Sequence, residues 1–216
     1  MIDRLICLAI GYCFGLIQTA YIYGRMHGID IRKVGSGNAG STNTMRTFGK
    51  KAGIANVFCD AGKCVAAVFV VWLLYHNDVP DITRVLGIYA SAGVILGHNF
   101  PFYLHFKGGK GIAATAGMVI AFRDWKLIPI NLAIFLIIVL LTKYVSLGSL
   151  VISVGFLVEI FIGGQSGLYG LDQRYLTEIY IVVAMLVVLA FYMHRGNIVR
   201  LLHGEERKIY LIGKEK

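Results

Sequence analysis

Long apolar segments alternate with polar connections along this 216-residue chain. Apolar residues make up most of each segment, and few charged residues interrupt them. A helix that crosses a bilayer needs about 20 apolar residues, and somewhat fewer when it packs against neighbouring protein. We therefore predict an all-α membrane protein with seven transmembrane helices. The segments are 5–24, 52–75, 85–104, 111–122, 127–142, 147–163 and 177–193.

The composition favours a membrane protein with a single domain, 1–216. The chain is 57% hydrophobic and only 15% charged, with a mean hydropathy of +0.69. A soluble domain would be about a quarter charged. The net charge of +9 could indicate nucleic-acid binding, but the sequence has no basic run with interleaved aromatic residues. We predict no nucleic-acid partner and take the basic excess as a signal of membrane orientation.

The lysines and arginines of the connections predict which side each one occupies. Fifteen of the 21 basic residues lie in the connections 25–51, 105–110 and 143–146 and in the tail from residue 194. Connections rich in lysine and arginine remain in the cytoplasm. The N-terminus is therefore predicted outside and the C-terminus in the cytoplasm, with the polar clusters described next on the cytoplasmic side.

The first polar cluster, residues 34–46, lies between the first two apolar segments. Its glycines let backbone N–H groups converge on an anion, and its hydroxyls, amides and Arg46 can add further bonds to a phosphate. Gly35, Gly37 and Gly40 have the spacing of a dinucleotide-binding fingerprint, but that motif requires a βαβ unit. A stretch between membrane spans does not provide one. We predict a phosphate pocket at the membrane surface.

The second polar cluster, residues 97–111, precedes the fourth segment. Gly109-Lys110-Gly111 lacks the serine or threonine and the upstream glycine of a nucleotide-binding P-loop. Lys110 enters the N-terminus of the fourth predicted helix, where exposed N–H groups and the helix dipole favour anions. We predict Lys110 as a second phosphate ligand.

The third polar cluster, residues 194–205, follows the last segment. His194 and Asn197 are one helical turn apart, so in a helix they face the same side. Ser146 and Ser149, on either side of the start of the sixth segment, add two hydroxyls on the predicted cytoplasmic side. We take His194 and Asn197 as candidate site residues.

A charged pair in the second segment leaves two interpretations open. Asp60 and Lys63 are one turn apart, and charges inside a span usually face the bundle interior. They could relay a proton or an ion, or they could be a neutralised pair that steadies the bundle. The six histidines are dispersed without metal-ligand spacing, and no nucleophile-elbow motif occurs in the sequence. We predict no metal site and no covalent acyl-enzyme.

Together and in this order, the three clusters resemble the acyl-phosphate-dependent glycerol-3-phosphate acyltransferase (PlsY) family. The resemblance rests on GSGNAGSTN followed by Arg46, GHNFP followed by FKGGKG, and HRGNIVRLL followed by a glutamate. It implies transfer of a fatty acyl group from acyl phosphate to glycerol 3-phosphate, giving lysophosphatidate and inorganic phosphate without a cofactor. This reaction is the first step of bacterial phospholipid synthesis, in the cell (inner) membrane. The implied partners are both substrates, membrane lipids and the enzyme that makes acyl phosphate.

The resemblance also implies roles for individual residues, with His194, Asn197, Arg46 and Lys110 as the catalytic set. Glu205 is implied as a structural member of the third cluster. Met193 and Gly196 stand where the family often has arginine and glutamate, so the resemblance implies no interaction of those two residue types here. The implied acyl-phosphate pocket consists of Ser36, Gly37, Asn38, Gly40, Ser41, Thr42 and Asn43. The implied ligands of glycerol 3-phosphate are Arg46, Lys110, Ser149, His194 and Asn197.

The identity of the proton acceptor is left open by these residues. His194 could act as the general base, or an oxygen of a substrate phosphate could take the proton while His194 only orients the substrate. The family resemblance favours the second alternative. A transporter of a phosphorylated metabolite is a rival function, but the sequence lacks the internal repeat of many transporters. A purely structural membrane protein is a third.

Overall fold

The structure is a computed structural model that describes residues 1–121 and 127–209. Residue 122 of the predicted fourth span, the predicted connection 123–126 and the end of the basic tail, 210–216, lie outside the described residues. Within the described ranges every regular element is a helix, which confirms the predicted all-α class.

Five helical stretches of the described chain are long and apolar enough to cross a membrane. The helices that correspond to the fourth and fifth predicted spans border the undescribed residues 122–126, and 10 and 16 of their residues are described. The seven-span count and the orientation therefore stay predictions. The five stretches are Ile2–Met26, Lys50–Tyr75, Thr83–Leu104, Val145–Gln165 and Gln173–Met193.

The chain divides into two compact units, Met1–Arg123 and Asp124–Lys216; the single domain stays a prediction. In the first unit α5 packs against α1, α4 and α6, and α3 packs against α4. Its helices are α1 (Ile2–Gly15), α2 (Thr19–Met26), α3 (Ser41–Phe48), α4 (Lys50–Tyr75), α5 (Thr83–Asn99) and α6 (Ile112–Ala121).

Glycines allow α1 and α5 to approach each other until their backbones touch. A Cβ on Gly11 would lie 1.9 Å from the carbonyl oxygen of Ala90, and one on Gly97 would lie 2.4 Å from that of Tyr12. Small residues four apart, such as Gly11 and Gly15, are typical of tightly packed membrane helices. This contact fixes α5, whose C-terminal end carries the second cluster.

The first span is broken between α1 and α2, and the side-chain amide of Gln18 lies at the break against three backbone carbonyl groups. Gln18 is fully buried, and its Nε2 lies 3.1–3.2 Å from the carbonyl oxygens of Gly15, Gly97 and His98. Non-helical backbone is tolerated in a membrane protein where such partners replace water. The break brings the residues after it towards the end of α5.

In the second unit, α8 packs against α7 and α9. Buried Asn131 donates a hydrogen bond to Oε2 of Glu159 at 2.6 Å, so the acidic side chain within α8 has a partner on α7. Outward-facing apolar side chains such as Leu141 and Val188 are exposed, as expected for helices that face lipid. The helices are α7 (Leu127–Thr142), α8 (Val145–Gln165), α9 (Gln173–Met193) and α10 (Arg195–Leu202).

Candidate active site

The first cluster forms a glycine-rich turn that leads into α3. Gly35 and Gly37 have φ angles of +59° and +72°, in the left-handed region that glycine adopts without strain. Ser41 begins α3, so the first N–H groups of this helix belong to the predicted ligands Ser41 and Thr42. Arg46 lies in the last turn of α3 with an exposed side chain. The turn presents backbone N–H groups, hydroxyls and a cation within a short stretch, a combination suited to a phosphate.

Asn43 lies beneath this turn and holds it in shape. Its side chain is fully buried, and its Nδ2 donates to the carbonyl oxygens of Ile31 and Val34, both at 3.0 Å. Its Oδ1 accepts from the backbone N–H of Ser36 at 2.8 Å. Both amide protons are used inside the protein, so Asn43 has none left for an anion. The structure thus gives Asn43 a supporting position, which differs from the predicted contact with acyl phosphate.

The second cluster folds back onto the end of α5. The backbone N–H groups of Gly108 and Gly109 donate to the carbonyl oxygens of Asn99 and His98, at 3.2 and 3.0 Å. These bonds satisfy carbonyl groups that a helix leaves without internal partners at its C-terminus. Lys110 follows directly and is half-buried, two residues before the start of α6. The fold therefore places Lys110 at a helix N-terminus, as predicted.

The first and second clusters meet within the first unit. A Cβ on Gly109 would lie 2.9 Å from the carbonyl oxygen of Ala39, so only glycine fits where the two clusters touch. Just before the first cluster, Arg32 donates from Nη1 to the carbonyl oxygen of Leu104 at 3.3 Å. Arg32 also pairs with Asp30 at 2.8 Å and through this hydrogen bond lowers the pKa of that carboxyl to about 2. Each of these two clusters also contributes a cationic side chain, Arg46 in the first and Lys110 in the second.

The third cluster lies in the second unit, at the junction of α9 and α10. His194 is buried, and its Nδ1 lies 2.8 Å from the carbonyl oxygen of Ala190. A carbonyl only accepts, so we assign the proton of the neutral ring to Nδ1, which makes Nε2 the basic nitrogen. Ser149 is also buried and donates its hydroxyl proton to the carbonyl oxygen of Val145 at 2.8 Å.

A buried carboxylate organises this cluster, and it belongs to Glu206. Its Oε1 accepts from Asn197 Nδ2 at 2.6 Å and from Ser146 Oγ at 3.0 Å, and its Oε2 accepts from Arg200 Nε at 2.8 Å. Burial alone would raise the pKa of Glu206, but these hydrogen bonds and the Arg200 charge outweigh it and lower the pKa below its usual value. The side chain of Glu205 is exposed. The structural position predicted for Glu205 is thus occupied by its neighbour.

In the first unit, Asn56 and His98 were not predicted as site residues, and they contact Asp60 and Lys63 respectively. Asn56 donates to Ser41 Oγ and to Asp60 Oδ2, both at 2.8 Å, and His98 lies 2.9 Å from Lys63. Asn56, Asp60 and Lys63 follow a spacing of four and three along α4, a readable signal that they share one face. Among the described residues no group of three histidine, cysteine, aspartate or glutamate side chains is arranged to hold a metal ion.

Comparison with known proteins identifies the family. A family model described as "Glycerol-3-phosphate acyltransferase" matches residues 5–204. A glycerol-3-phosphate acyltransferase of Clostridioides difficile is 40% identical over 207 residues, covering 95% of each chain. One of a Thermoanaerobacter species is 41% identical over 201 residues, covering 93% of this chain and 92% of the relative. This chain belongs to the glycerol-3-phosphate acyltransferase (PlsY) family.

Solved structures of a family member agree with the fold. A crystal structure of PlsY (YgiH), an integral membrane glycerol 3-phosphate acyltransferase in its glycerol 3-phosphate form, matches with a TM-score of 0.82. The two chains are 29% identical, and the match covers 96% of each. The lysophosphatidic acid form of that protein matches with a TM-score of 0.79 at 28% identity. The family assignment confirms the predicted resemblance and makes this chain an integral membrane acyltransferase of glycerol 3-phosphate.

Proposed function

We propose that this enzyme transfers a fatty acyl group from acyl phosphate to glycerol 3-phosphate, forming lysophosphatidate (1-acylglycerol 3-phosphate) and inorganic phosphate. The observation that carries the proposal is the contact, at Ala39 and Gly109, of the two clusters that the sequence predicts to bind anions. An acyl phosphate and glycerol 3-phosphate each bring one phosphate, and two adjacent cationic, N–H-rich clusters match that pair. The related crystal structures, one in a glycerol 3-phosphate form and one in a lysophosphatidic acid form, support this acceptor and this product.

The first cluster is the proposed pocket for the phosphate of the acyl donor. Asn43 supports this pocket from beneath, while its other members contribute hydroxyls, an amide and N–H groups. The proposed pocket residues are Ser36, Gly37, Asn38, Gly40, Ser41 and Thr42. The proposed ligands of glycerol 3-phosphate are Arg46, Lys110, Ser149, His194 and Asn197.

The chemistry places modest demands on these residues. The glycerol hydroxyl oxygen forms a bond to the acyl carbonyl carbon, and the bond from that carbon to the phosphate oxygen breaks. Phosphate leaves with the electron pair and is a good leaving group, so catalysis depends mainly on placing the hydroxyl near the carbonyl and neutralising charge. The hydroxyl proton passes either to Nε2 of His194 or to a substrate phosphate oxygen.

A His194→Gln variant distinguishes the two proton acceptors. Glutamine offers a hydrogen-bonding side chain but no basic nitrogen. If His194 is the base, kcat falls by about 10²–10⁴-fold. If a phosphate oxygen is the acceptor, which we favour, most of kcat is retained and the loss appears mainly in KM.

The proposed setting is the bacterial inner membrane, crossed seven times with the N-terminus outside and the C-terminus in the cytoplasm. The distribution of lysine and arginine supports this orientation, because the connections rich in these residues are expected in the cytoplasm and the three polar clusters lie in or beside those connections. It would give both phosphate pockets access to cytoplasmic glycerol 3-phosphate and to the enzyme that makes acyl phosphate. Cysteine labelling from either side of the membrane at residue 28 and residue 78 tests it: residue 28 should react only from the cytoplasm.

The deciding experiment uses the purified enzyme with palmitoyl phosphate and labelled glycerol 3-phosphate. We expect lysophosphatidate and inorganic phosphate to appear in equal amounts, and palmitoyl-CoA to give no product. Arg46→Ala and Lys110→Ala should each abolish most turnover, while Arg174→Ala, which removes an exposed arginine in the first turn of α9, should not. Turnover with palmitoyl-CoA but not with palmitoyl phosphate would refute the proposed donor.

A further inference from the structure

A buried polar cluster between α4 and α5 takes no part in the proposed chemistry. It consists of Asp60, Lys63 and His98, with Lys63 only 6% exposed and the other two still less. The Lys63 ammonium lies 2.9 Å from Asp60 Oδ1, 2.9 Å from His98 Nδ1 and 2.7 Å from the carbonyl oxygen of Ile17. An ammonium group has three N–H bonds, and these three acceptors use them all. Lys63 therefore cannot reach a substrate without breaking one of them.

The histidine of this cluster faces the loop that carries Lys110. Lys63 only donates, so Nδ1 of His98 accepts and we assign the ring proton to Nε2. A Cβ on Gly109 would lie 2.1 Å from that Nε2. The backbone carbonyl of His98 accepts from the N–H of Gly109 at 3.0 Å. Ring and backbone of His98 thus both contact the residue next to Lys110.

The carboxylate of the cluster leads towards the first anion-binding cluster. Oδ2 of Asp60 accepts from Asn56 Nδ2 at 2.8 Å, and the same amide nitrogen donates to Ser41 Oγ at 2.8 Å. Ser41 is the first residue of α3 and a member of the proposed acyl-phosphate pocket. A series of polar contacts therefore runs from Ser41 through the buried side chains of Asn56, Asp60, Lys63 and His98. The backbone hydrogen bond between His98 and Gly109 continues it to the second cluster.

We infer that Asp60, Lys63 and His98 form a positioning cluster that holds the two phosphate-binding loops at a fixed separation. The inference rests on the proposed function, in which both loops bind substrate phosphates. A cation, an anion and a neutral imidazole that satisfy one another define a single geometry, because any displacement leaves a buried charge without its partner. Loosening the cluster would let the loop around Lys110 move, and the first effect would be weaker substrate binding.

Two substitutions at His98 test the inference. Leucine removes the acceptor for Lys63, whereas asparagine keeps one, because its Oδ1 takes roughly the place of Nδ1. Ser91→Ala is the control: Ser91 is equally buried in α5 but bonds to the carbonyl oxygen of Gly87 in its own helix. The readouts are hydrogen exchange of the backbone amides of 107–111 and the KM for glycerol 3-phosphate with palmitoyl phosphate. We expect His98→Leu to raise both the exchange rates and KM about tenfold or more, with His98→Asn and Ser91→Ala close to the wild type.

Each outcome decides the inference. The inference is overturned if His98→Leu has the exchange rates and the KM of the wild type. It is also overturned if only kcat falls while the exchange rates and KM stay unchanged. If His98→Leu does not fold, the double variant Asp60→Asn/Lys63→Met removes both charges together and faces the same two measurements, and unchanged values again overturn it. An inactive wild-type enzyme would refute the proposed function, but the exchange rates of 107–111 would still decide whether the cluster positions the loop.

Discussion

Replacing Glu206 by glutamine tests how the third cluster is held together, and Glu205→Gln beside it provides a matched control. Glu206 accepts hydrogen bonds from Asn197, Ser146 and Arg200 at 2.6–3.0 Å, while Glu205 is exposed. Glutamine has one carbonyl oxygen in place of two carboxylate oxygens. It can therefore satisfy the side facing Asn197 or the side facing Arg200, but not both.

The cost of this change follows from the exposure of the partners. The Arg200 side chain is 40% exposed and is solvated when released, so its bond contributes well under 1 kcal/mol. The bonds from Asn197 and Ser146 are each worth about 1 kcal/mol, and more when the acceptor is charged. Glu206→Gln should thus lower the free energy of unfolding by about 1–3 kcal/mol, or the apparent Tm by about 2–12 °C. Glu205→Gln should change the unfolding free energy by less than about 0.5 kcal/mol.

Activity should respond as well, because Glu206 fixes the amide of Asn197, a proposed substrate ligand. A misplacement of about 1 Å can lower activity by about 10²-fold. We expect kcat/KM to fall by about 10- to 100-fold in Glu206→Gln and to stay unchanged in Glu205→Gln, measured with palmitoyl phosphate as donor. If both variants unfold at the wild-type temperature and retain wild-type kcat/KM, the hydrogen bonds to Glu206 do not organise the cluster.

The same residue predicts a pH dependence of stability. The pKa of Glu206 is lower in the folded protein than its ordinary value of about 4.3. A lowered folded pKa gives stability that is present above the unfolded pKa and is lost as the pH falls through the folded one. The apparent Tm of the wild type should therefore fall faster than that of Glu206→Gln as the pH drops below about 4.3. Parallel Tm profiles for the two proteins would contradict this.

Two glycine substitutions test the close approaches between elements. Gly109→Ala would place a Cβ 2.1 Å from His98 Nε2, so the loop must shift and kcat/KM should fall about tenfold or more; wild-type kinetics would show that the loop adapts. Gly11→Ala would place a Cβ 1.9 Å from the carbonyl oxygen of Ala90, so α1 and α5 must separate, at a cost of about 1–3 kcal/mol. Gly62→Ala is the control for Gly11→Ala, because a Cβ on Gly62 would have no described atom within 4 Å. It should leave the Tm unchanged or raise it. Equal Tm values for Gly11→Ala and Gly62→Ala would contradict the tight α1–α5 contact.

Hydropathy predicted the helices well because a bilayer imposes one requirement on every span. The two predicted spans at 111–122 and 127–142 remain predictions, since only 10 residues of α6 and 16 of α7 lie within the described part of the chain. Hydropathy also runs smoothly across residues 5–24 and hides the break between α1 and α2. That break depends on Gln18 finding carbonyl partners in α5, about 80 residues away along the chain. No local pattern encodes such a partner.

The sequence predicted which polar residue types the clusters contain, but it could not predict the role of each polar side chain within them. Asn43 belongs to a motif that suggests anion binding, yet its amide protons are used by the carbonyl groups of Ile31 and Val34. Glu205 and Glu206 are chemically identical, and which of them turns inward depends on how the chain leaves α10. Local sequence specifies the chemistry available, whereas tertiary contacts decide which groups remain available for a substrate.

The position of α5 explains why polar groups deep in the bundle can influence the proposed chemistry at its end. Its span is 78% buried, against 28–39% for the other four candidate spans, so most of its circumference is held by protein. The backbone contact with α1 and the Lys63–His98 bond from α4 both act on this one helix. Because the N–H groups of Gly108 and Gly109 donate hydrogen bonds to the last carbonyl groups of α5, a displacement of α5 moves the loop that carries Lys110. The tight glycine packing and the buried ion pair thus have the same physical effect, since each restrains the helix that carries the second proposed phosphate-binding loop.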